Sequence, residues 1–275
     1  MAAITSPPPG PAATPGSGLS HVFEHRLMTY RRTFRSTIFT SFVTPTLFLA
    51  AMGLGLGSYV DDGSSTAALG GISYLVFLAP GLLAASAMNS ASFEATFPIM
   101  SGLTWSRIYH AMYATPISAR DVTLGNLLFI AARLTLVAAV FTLVIVLFGA
   151  AESPLIVLAI PAAVLTGMAF AAPIAAFSAT QKTPMKFNAL FRFVITPLFL
   201  FSGTFFPVSS LPAGLQVLAW FTPLYHGVSL TRALSLGTVS EDPLQAVVNV
   251  VFLAAFTIVG TWFAMRAIDR RLVRG

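Results

Sequence analysis

Few side chains in this sequence are of the types that do chemistry, and their spacing matches neither the phosphate-binding loop nor a common metal-binding motif. The loop that cradles nucleotide phosphates needs a glycine directly before its lysine, whereas Lys182 follows Gln181 and Lys186 follows Met185. The sequence contains no His-Glu-x-x-His motif, its four histidines are dispersed, and it has no cysteine. We therefore predict that the chain is not an enzyme and binds no metal or cofactor of its own.

Two ionisable residues lie within or next to apolar runs, where a charge is costly. Arg133 is the one charge in its run, and it could bind an anionic group of a substrate, or pair with helix-end carbonyls or with an outside acid of another element. Because its side chain is long, it could also snorkel. Glu94 ends the preceding run, and we expect it at the inner membrane surface. There it would pair with Arg107, Arg120 or an N-terminal arginine and fix the angle of the segment that follows.

The composition indicates that a membrane protein positions these residues. Of the 275 residues, 56% are hydrophobic and only 9% are charged, and the mean hydropathy is +0.83. A soluble domain carries about 25% charged residues. This chain cannot cover itself with polar surface, so we predict an all-α polytopic membrane protein whose solvent is mostly lipid.

Six membrane spans are predicted from the apolar runs that lie between charges. Because about 20 apolar residues cross a hydrocarbon core of about 30 Å, five of the runs fit one crossing each. The remaining run, fifth in order, is longer and is cut by prolines and glycines. We interpret it as a span followed by a re-entrant hairpin in the outer leaflet, over residues 208–232; one tilted helix followed by an interfacial loop is the alternative. The predicted spans cover about residues 37–60, 70–94, 121–149, 154–180, 188–206 and 244–265.

The N-terminal region is predicted to have two parts. Residues 1–18 are rich in proline, alanine, glycine and serine and are predicted to be disordered, whereas apolar residues recur at helical spacing over residues 19–35. We interpret the second part as an amphipathic helix on the cytoplasmic membrane surface; a simple basic membrane anchor is the alternative. Three arginines crowd its C-terminal end, where cations suit the helix dipole: Arg31, Arg32 and Arg35.

Glycines in the first predicted span indicate close helix packing. Gly53 and Gly57 form a GxxxG ridge, which lets helices approach closely in lipid. The ridge could form a contact within the chain or a seam between two copies.

The lysines and arginines predict the orientation of the chain. With six spans, thirteen cations lie on one side, Arg232 lies on the other, and Arg133 lies in the membrane. Both termini are therefore expected in the cytoplasm. The side opposite the thirteen cations holds five acids, which are Asp61, Asp62, Glu152, Glu241 and Asp242.

The segment over residues 98–118 lies between two spans but is too polar, and too broken by proline and glycine, to cross lipid. Interpreted as a helix from about Leu103 to Tyr113, it is an amphipathic helix at the inner membrane surface that is offered to a soluble partner. A linker that touches only lipid headgroups is the alternative. The apolar face has the spacing i, i+3, i+4, i+7 and consists of Trp105, Ile108, Tyr109 and Met112.

Two stretches carry a resemblance to a known family. One is Met112–Ser118 together with Asp121 and Gly125. The other is Thr196–Gly237, which has a Gly-x-x-Phe-Pro turn and then Pro-Leu-x-His before an arginine. From about Leu19 onwards, the chain resembles the membrane subunits of type-2 ABC exporters, and it looks closest to the branch with the nodulation-factor and daunorubicin export permeases.

The resemblance implies a fold with six spans, an N-terminal interface helix and re-entrant outer helices, in a bacterial inner membrane. Two copies, or one copy and a homologue, would dimerise around a pathway, whose candidate residues here are Arg133, Phe205, Phe206 and His226. A separate pair of cytoplasmic ATPase subunits would bind ATP and Mg²⁺. The coupling helix, seated in a groove of that ATPase, would contain Trp105, Ser106, Arg107, Ile108, Tyr109, His110 and Met112.

We therefore expect the transmembrane permease subunit of an ATP-driven exporter, with lipid and protein partners and no nucleic acid. Its substrate would be amphipathic, drug-like or lipid-linked, because a phenylalanine-rich wall with few charges cannot stabilise a strongly polar solute. Two alternatives remain open. One is a secondary carrier driven by an ion gradient, which needs an intramembrane acid that the apolar runs lack. The other is a membrane scaffold that recruits a soluble protein without transporting anything.

Overall fold

A computed structural model describes residues 17–32, 34–57 and 71–274, and these residues form helices and turns without a strand. Residues 1–16 of the predicted disordered tail, and the acids Asp61 and Asp62, lie outside the described residues. Leu49–Leu56 is a π-helical stretch that continues α2, Phe191–Ile195 is a π-helical stretch that joins α7 to α8, and Pro154–Leu158 is a 3-10 turn before α6. The α-helices in chain order are α1 (Ser17–Arg31), α2 (Phe34–Phe48), α3 (Tyr74–Thr104), α4 (Ile108–Tyr113), α5 (Ala119–Leu147), α6 (Ala159–Thr180), α7 (Met185–Leu190), α8 (Thr196–Phe201), α9 (Ala213–Trp220), α10 (Pro223–Leu236) and α11 (Pro243–Arg274).

Within the described ranges, four helices are long and apolar enough to cross a membrane. They are Tyr74–Thr104, Ala119–Leu147, Pro154–Thr180 and Pro243–Val273. The stretch predicted as the first span contains a shorter apolar helix, Ser41–Gly53. The stretch predicted as the fifth span is helical in consecutive pieces up to Phe201 and not to residue 206. It ends there because Gly203 adopts a left-handed backbone with φ of 84°.

Helix α6 lies at the centre of the bundle, where it packs against α3, α5, α10 and α11. A Cβ added to Gly167 would stand 3.0 Å from the Ala87 carbonyl oxygen of α3. A Cβ added to Gly260 of α11 would stand 2.7 Å from the backbone nitrogen of Pro173. Such close approach needs small side chains, and those of α6 that are buried include Ala162, Ala163, Gly167, Ala171 and Ala172.

The N-terminal helix is shorter than predicted. It ends at Arg31, the chain turns at Arg32, and Arg35 belongs to α2, so the prediction of one helix over residues 19–35 is wrong. Val22 is fully buried, and it fits against Gly125 of α5, where an added Cβ would stand 2.7 Å from it. Packing against α5 therefore fixes the position of α1, and both α1 and α2 contact that helix.

Helix α3 is longer than the predicted second span. It continues past Glu94 and through Pro98 to Thr104, although both Pro80 and Pro98 lie inside it. Proline removes a backbone donor, but membrane helices tolerate it where neighbours pack around the freed groups. The helix thus continues beyond Glu94, the predicted end of the span, and beyond residue 98, the predicted start of the connector, while the position of the membrane boundary on it stays a prediction.

Two short helices follow residue 206 and form a hairpin. Thr222 separates α9 from α10 and caps α10 by accepting a hydrogen bond from the backbone N–H of Tyr225. Helix α10 packs against α3 and α6, and the Thr231 hydroxyl donates to the Pro80 carbonyl of α3 at 2.9 Å. The hairpin is thus fixed to the bundle by polar as well as apolar contacts.

The close contact between α6 and α11 gives a stability prediction. Gly260→Ala should force the two backbones apart and lower the free energy of unfolding by about 1–3 kcal/mol. The matched control is Gly214→Ala in α9, where an added Cβ meets nothing within 4 Å, and we expect it to be neutral. Thermal unfolding of both variants in detergent tests this, and equal midpoints would contradict it.

Candidate functional site

A carboxylate lies between two guanidinium groups in the middle of the bundle. Glu94 of α3 forms an ion pair with Arg133 of α5, and its other oxygen lies 3.8 Å from Nη2 of Arg26 of α1. The acid that pairs with Arg133 is therefore on α3, and the arginines that face Glu94 are not the connector residues Arg107 or Arg120. The three residues, which we call the charge cluster, join α1, α3 and α5.

Aromatic rings lie next to both arginines of the charge cluster. The Arg26 guanidinium lies 4.9 Å from the ring centroid of Phe129, and that of Arg133 lies 5.5 Å from the ring of Tyr30. The side chains of Glu94, Arg26 and Arg133 are only 13%, 16% and 25% exposed. With two cations and one anion the cluster carries a net charge of +1, which the ring faces offset only in part.

A central cavity of about 400 Å³ opens beside Arg133, between α2, α3, α5 and α8. One part of its lining can form hydrogen bonds, through Ser41, Thr44, Ser86, Asn89, Ser90 and Arg133. The other part is apolar and consists of Pro45, Phe48, Leu82, Val137, Phe141 and Phe199. The lining is thus amphipathic.

The structure brings only some of the predicted pathway residues to the central cavity. Arg133 lines it, and the ring of Phe205 packs against Phe48 at 6.2 Å and Phe199 at 5.0 Å between centroids, next to its apolar part. Phe206 is half-buried and makes none of the ring contacts found among the described residues.

His226 lies elsewhere, between the hairpin and α11. Its Nδ1 is 2.7 Å from Oδ1 of Asn249 and its Nε2 is 2.9 Å from the Trp220 carbonyl oxygen. Its ring stacks on Phe252 at 4.0 Å between centroids. The prediction that His226 lines a pathway finds no support in this position, because both of its ring nitrogens are occupied by contacts that join α9, α10 and α11.

Sequence reasoning placed Arg232 on the outer side, at the end of the predicted re-entrant segment, but gave it no role. In the structure the side chain reaches back to α3, donating to the carbonyls of Phe77 at 3.2 Å and Gly203 at 2.9 Å, above the Phe77 ring. It therefore anchors the hairpin. The signal in the sequence was the position of Arg232 within an apolar helix, where a cation needs acceptors.

The connector between α3 and α5 is not one helix. Arg107 has a left-handed backbone with φ of 50°, which separates the end of α3 from α4. Trp105 and Tyr109 therefore lie on different elements, and the predicted helix from Leu103 to Tyr113 is wrong. The break brings the Tyr109 ring back over Gly102, where an added Cβ would stand 2.3 Å from the ring.

Tyr109 anchors the connector to the bundle and is not exposed to a partner. It is 2% exposed, and its hydroxyl donates to Oδ1 of Asn126 in α5 at 2.8 Å. Burial raises the pKa of Tyr109, so the phenol stays a neutral donor. Ile108 and Met112 are half-buried against the same core. The predicted apolar face thus packs largely on the protein itself.

Part of the exposed surface of the connector is aromatic. Trp105 is 60% exposed, Ser106 and Arg107 next to it are exposed, and Tyr113 is 39% exposed, whereas His110 is half-buried. We call Trp105, Ser106, Arg107 and Tyr113 the connector surface. The buried anchor at Tyr109 lies between Arg107 and Tyr113, and the capping box of Ser118 and Asp121 then starts α5.

The anchor gives a second prediction. Tyr109→Phe leaves the buried Asn126 oxygen without its donor, which should lower the free energy of unfolding by about 1–3 kcal/mol. Tyr113→Phe is the matched control, because that side chain is exposed. Thermal unfolding in detergent measures both, and an equal loss for the two would show that the hydrogen bond does not contribute.

The charge cluster gives a third prediction, which is that loss of its acid lowers the free energy of unfolding more than loss of Arg133. Glu94→Gln leaves two arginines without an anion, whereas Arg133→Gln leaves the neutral pair of Arg26 and Glu94. We expect Glu94→Gln to cost about 3–5 kcal/mol and Arg133→Gln less, with the double variant recovering part of the loss. Asp269→Asn, at an exposed acid of α11, is the control in the same unfolding assay. Equal losses for the two single variants would contradict this account of the cluster.

Comparison with known proteins agrees with this architecture. The model of the ABC-2 type transporter family matches residues 19–236. Nodulation protein J of Rhizobium leguminosarum bv. trifolii is 30% identical over 264 residues, which cover 95% of this chain and 97% of that protein. Nodulation protein J of Rhizobium meliloti is 28% identical, and the inner membrane transport permease YadH of Escherichia coli is 24% identical over 88% of this chain and 92% of its own. The chain therefore belongs to the ABC-2 type transporter family and is a membrane permease of an ABC transporter.

Proposed function

We propose that this permease is the transmembrane subunit of an ATP-driven exporter and forms the substrate pathway as a dimer, with a second copy or with a homologue. ATP and Mg²⁺ bind to separate cytoplasmic ATPase subunits. Two findings support this division of labour: the family membership, and a sequence without a phosphate-binding loop.

In this proposal the chain has six spans in the inner membrane of a bacterium, with both termini in the cytoplasm. The four membrane-length helices supply four spans. The remaining two are α2 with its π-helical stretch, and the run from α7 to α8. The hairpin of α9 and α10 is re-entrant from the outer side. The charge distribution supports this orientation, because thirteen of the 15 lysines and arginines then lie on the cytoplasmic side.

The connector surface is the contact with the ATPase, and the Tyr109 anchor is the observation that carries this proposal. A surface can transmit force only if its base is rigid, and the buried hydrogen bond to Asn126 ties the base of the connector to α5. ATP holds two ATPase subunits together and hydrolysis releases them. The connector would follow that motion and move α3 and α5 as rigid bodies. The energy would come from the difference in nucleotide affinity between the two states of the ATPase.

The substrate is proposed to be amphipathic, drug-like or lipid-linked, and to occupy the central cavity. The lining supports this class, because an arginine, an asparagine and hydroxyls face one part of it and phenylalanines the other. A purely polar solute would leave the aromatic part of the lining unused, and a purely apolar one would leave the polar part unused.

A secondary carrier is the second candidate, and one observation favours it. Glu94, which was predicted at the end of an apolar run, lies inside a membrane-length helix, so this helix carries an acid. Against this candidate, two arginines already engage the carboxylate in ion contacts, which suits a fixed link between helices better than a binding site for a transported ion.

The fourth prediction tests coupling. Trp105→Ala should weaken copurification with the ATPase encoded nearby and lower its ATP turnover with the permease about tenfold, since exposed tryptophans at interfaces often supply ~1–2 kcal/mol or more. Trp220→Ala is the matched control, because Trp220 is 53% exposed on the hairpin, far from the connector. Undiminished ATPase association in Trp105→Ala would refute the connector as the contact. Flux driven by an ion gradient without ATP would favour the carrier.

A further inference from the structure

A second cavity lies on the opposite side of Arg133 from the central cavity, in a groove between α1 and α5. Its volume is about 400 Å³. The α1 side and the start of α2 contribute Phe23, Leu27, Tyr30, Arg31 and Phe34, and the α5 side contributes Phe129, Ala132, Arg133 and Leu136. On each side the residues recur at helical spacing, so the groove follows the two helices and is open along its length.

The walls of this groove suit a hydrocarbon chain. Leu27 and Phe34 remain 42% and 39% exposed although they are large and apolar. Besides the two arginines and Tyr30, every lining side chain is apolar. The α5 face from Phe129 to Leu136 spans about 10 Å at 1.5 Å per residue, long enough for a substantial part of an acyl chain.

The charge around the groove is not balanced. Arg133 and Arg31 both line it, and the charge cluster behind Arg133 has two cations for one anion. Nε and Nη2 of Arg26 are buried and make no hydrogen bond, although Nη2 lies 3.8 Å from the Glu94 carboxylate. A buried positive charge without full compensation is costly, and an anion at Arg133 and Arg31 would lower that cost.

We propose that the groove between α1 and α5 binds an anionic phospholipid of the leaflet next to α1, with its phosphate at Arg31 and Arg133 and an acyl chain along Phe23, Leu27, Phe34 and Leu136. The lipid would fix α1 to the bundle and complete the charge balance around Glu94. Basic pockets between membrane helices are known to bind anionic lipid headgroups. This inference does not depend on transport or on an ATPase.

The fifth prediction uses the full-length chain in nanodiscs with identical acyl chains and either phosphatidylglycerol or phosphatidylcholine. Phosphatidylglycerol should raise the thermal midpoint of the wild type and be retained on the protein in native mass spectrometry. Arg31→Gln should lose at least half of that shift. Arg32→Gln, the adjacent exposed arginine, which does not line the groove, should keep it.

A second pair of variants tests the apolar part of the site without changing charge. Ala132→Trp should fill the groove and remove the retained phosphatidylglycerol. Ala139→Trp, two turns further along α5 and also exposed, should retain it. Both positions are exposed, so both variants should fold.

Three outcomes would overturn the proposal. Equal losses in Arg31→Gln and Arg32→Gln would show general surface attraction instead of a site. Equal stabilisation by phosphatidylcholine would show that the anion is not recognised. If inorganic phosphate alone reproduced the shift in phosphatidylcholine nanodiscs, the site would bind the ion and not the lipid.

Discussion

The close approach of helix backbones to α6 is the constraint on which the other features depend. Lipid tails are as apolar as leucine, so helices in a membrane are not driven together by exclusion from water and must gain contact by packing. Alanine and glycine along α6 allow α3 and α11 to come so near that Gly167 and Gly260 cannot carry a side chain without displacing backbone. These helices therefore form the closely packed centre of the bundle.

The central cavity lies where that close packing ends. Helices α2 and α8 bring phenylalanines towards α3 and α5 instead of small residues, and the larger side chains leave the central cavity between them. The rings of Phe48, Phe199 and Phe205 pack on one another next to its apolar part. Small side chains thus allow the close packing around α6, and larger side chains leave the central cavity.

Polar contacts connect the connector to the cavity. Tyr109 and Asn126 fix the connector to α5, and further into the bundle Glu94 and Arg133 fix α3 to α5. The ion pair therefore joins the two helices that flank the connector, and the hydrogen bond joins the connector itself to one of them. The same pair of helices, with Arg133, borders the central cavity, so motion of the connector would change the shape of that cavity.

The sequence by itself determined the class of the protein. Apolar content, the lengths of uncharged runs and the motifs after Met112 and Thr196 were enough to predict a helical membrane permease of the type-2 ABC family, because these are properties of the chain and not of its packing. Tertiary structure decided which partner each residue has. Periodicity showed that Tyr109 lies on an apolar face, but not that this face turns inward onto Gly102 and Asn126. In the same way, Glu94, Arg133 and Arg26 are far apart in sequence, and only helix packing brings their charges together.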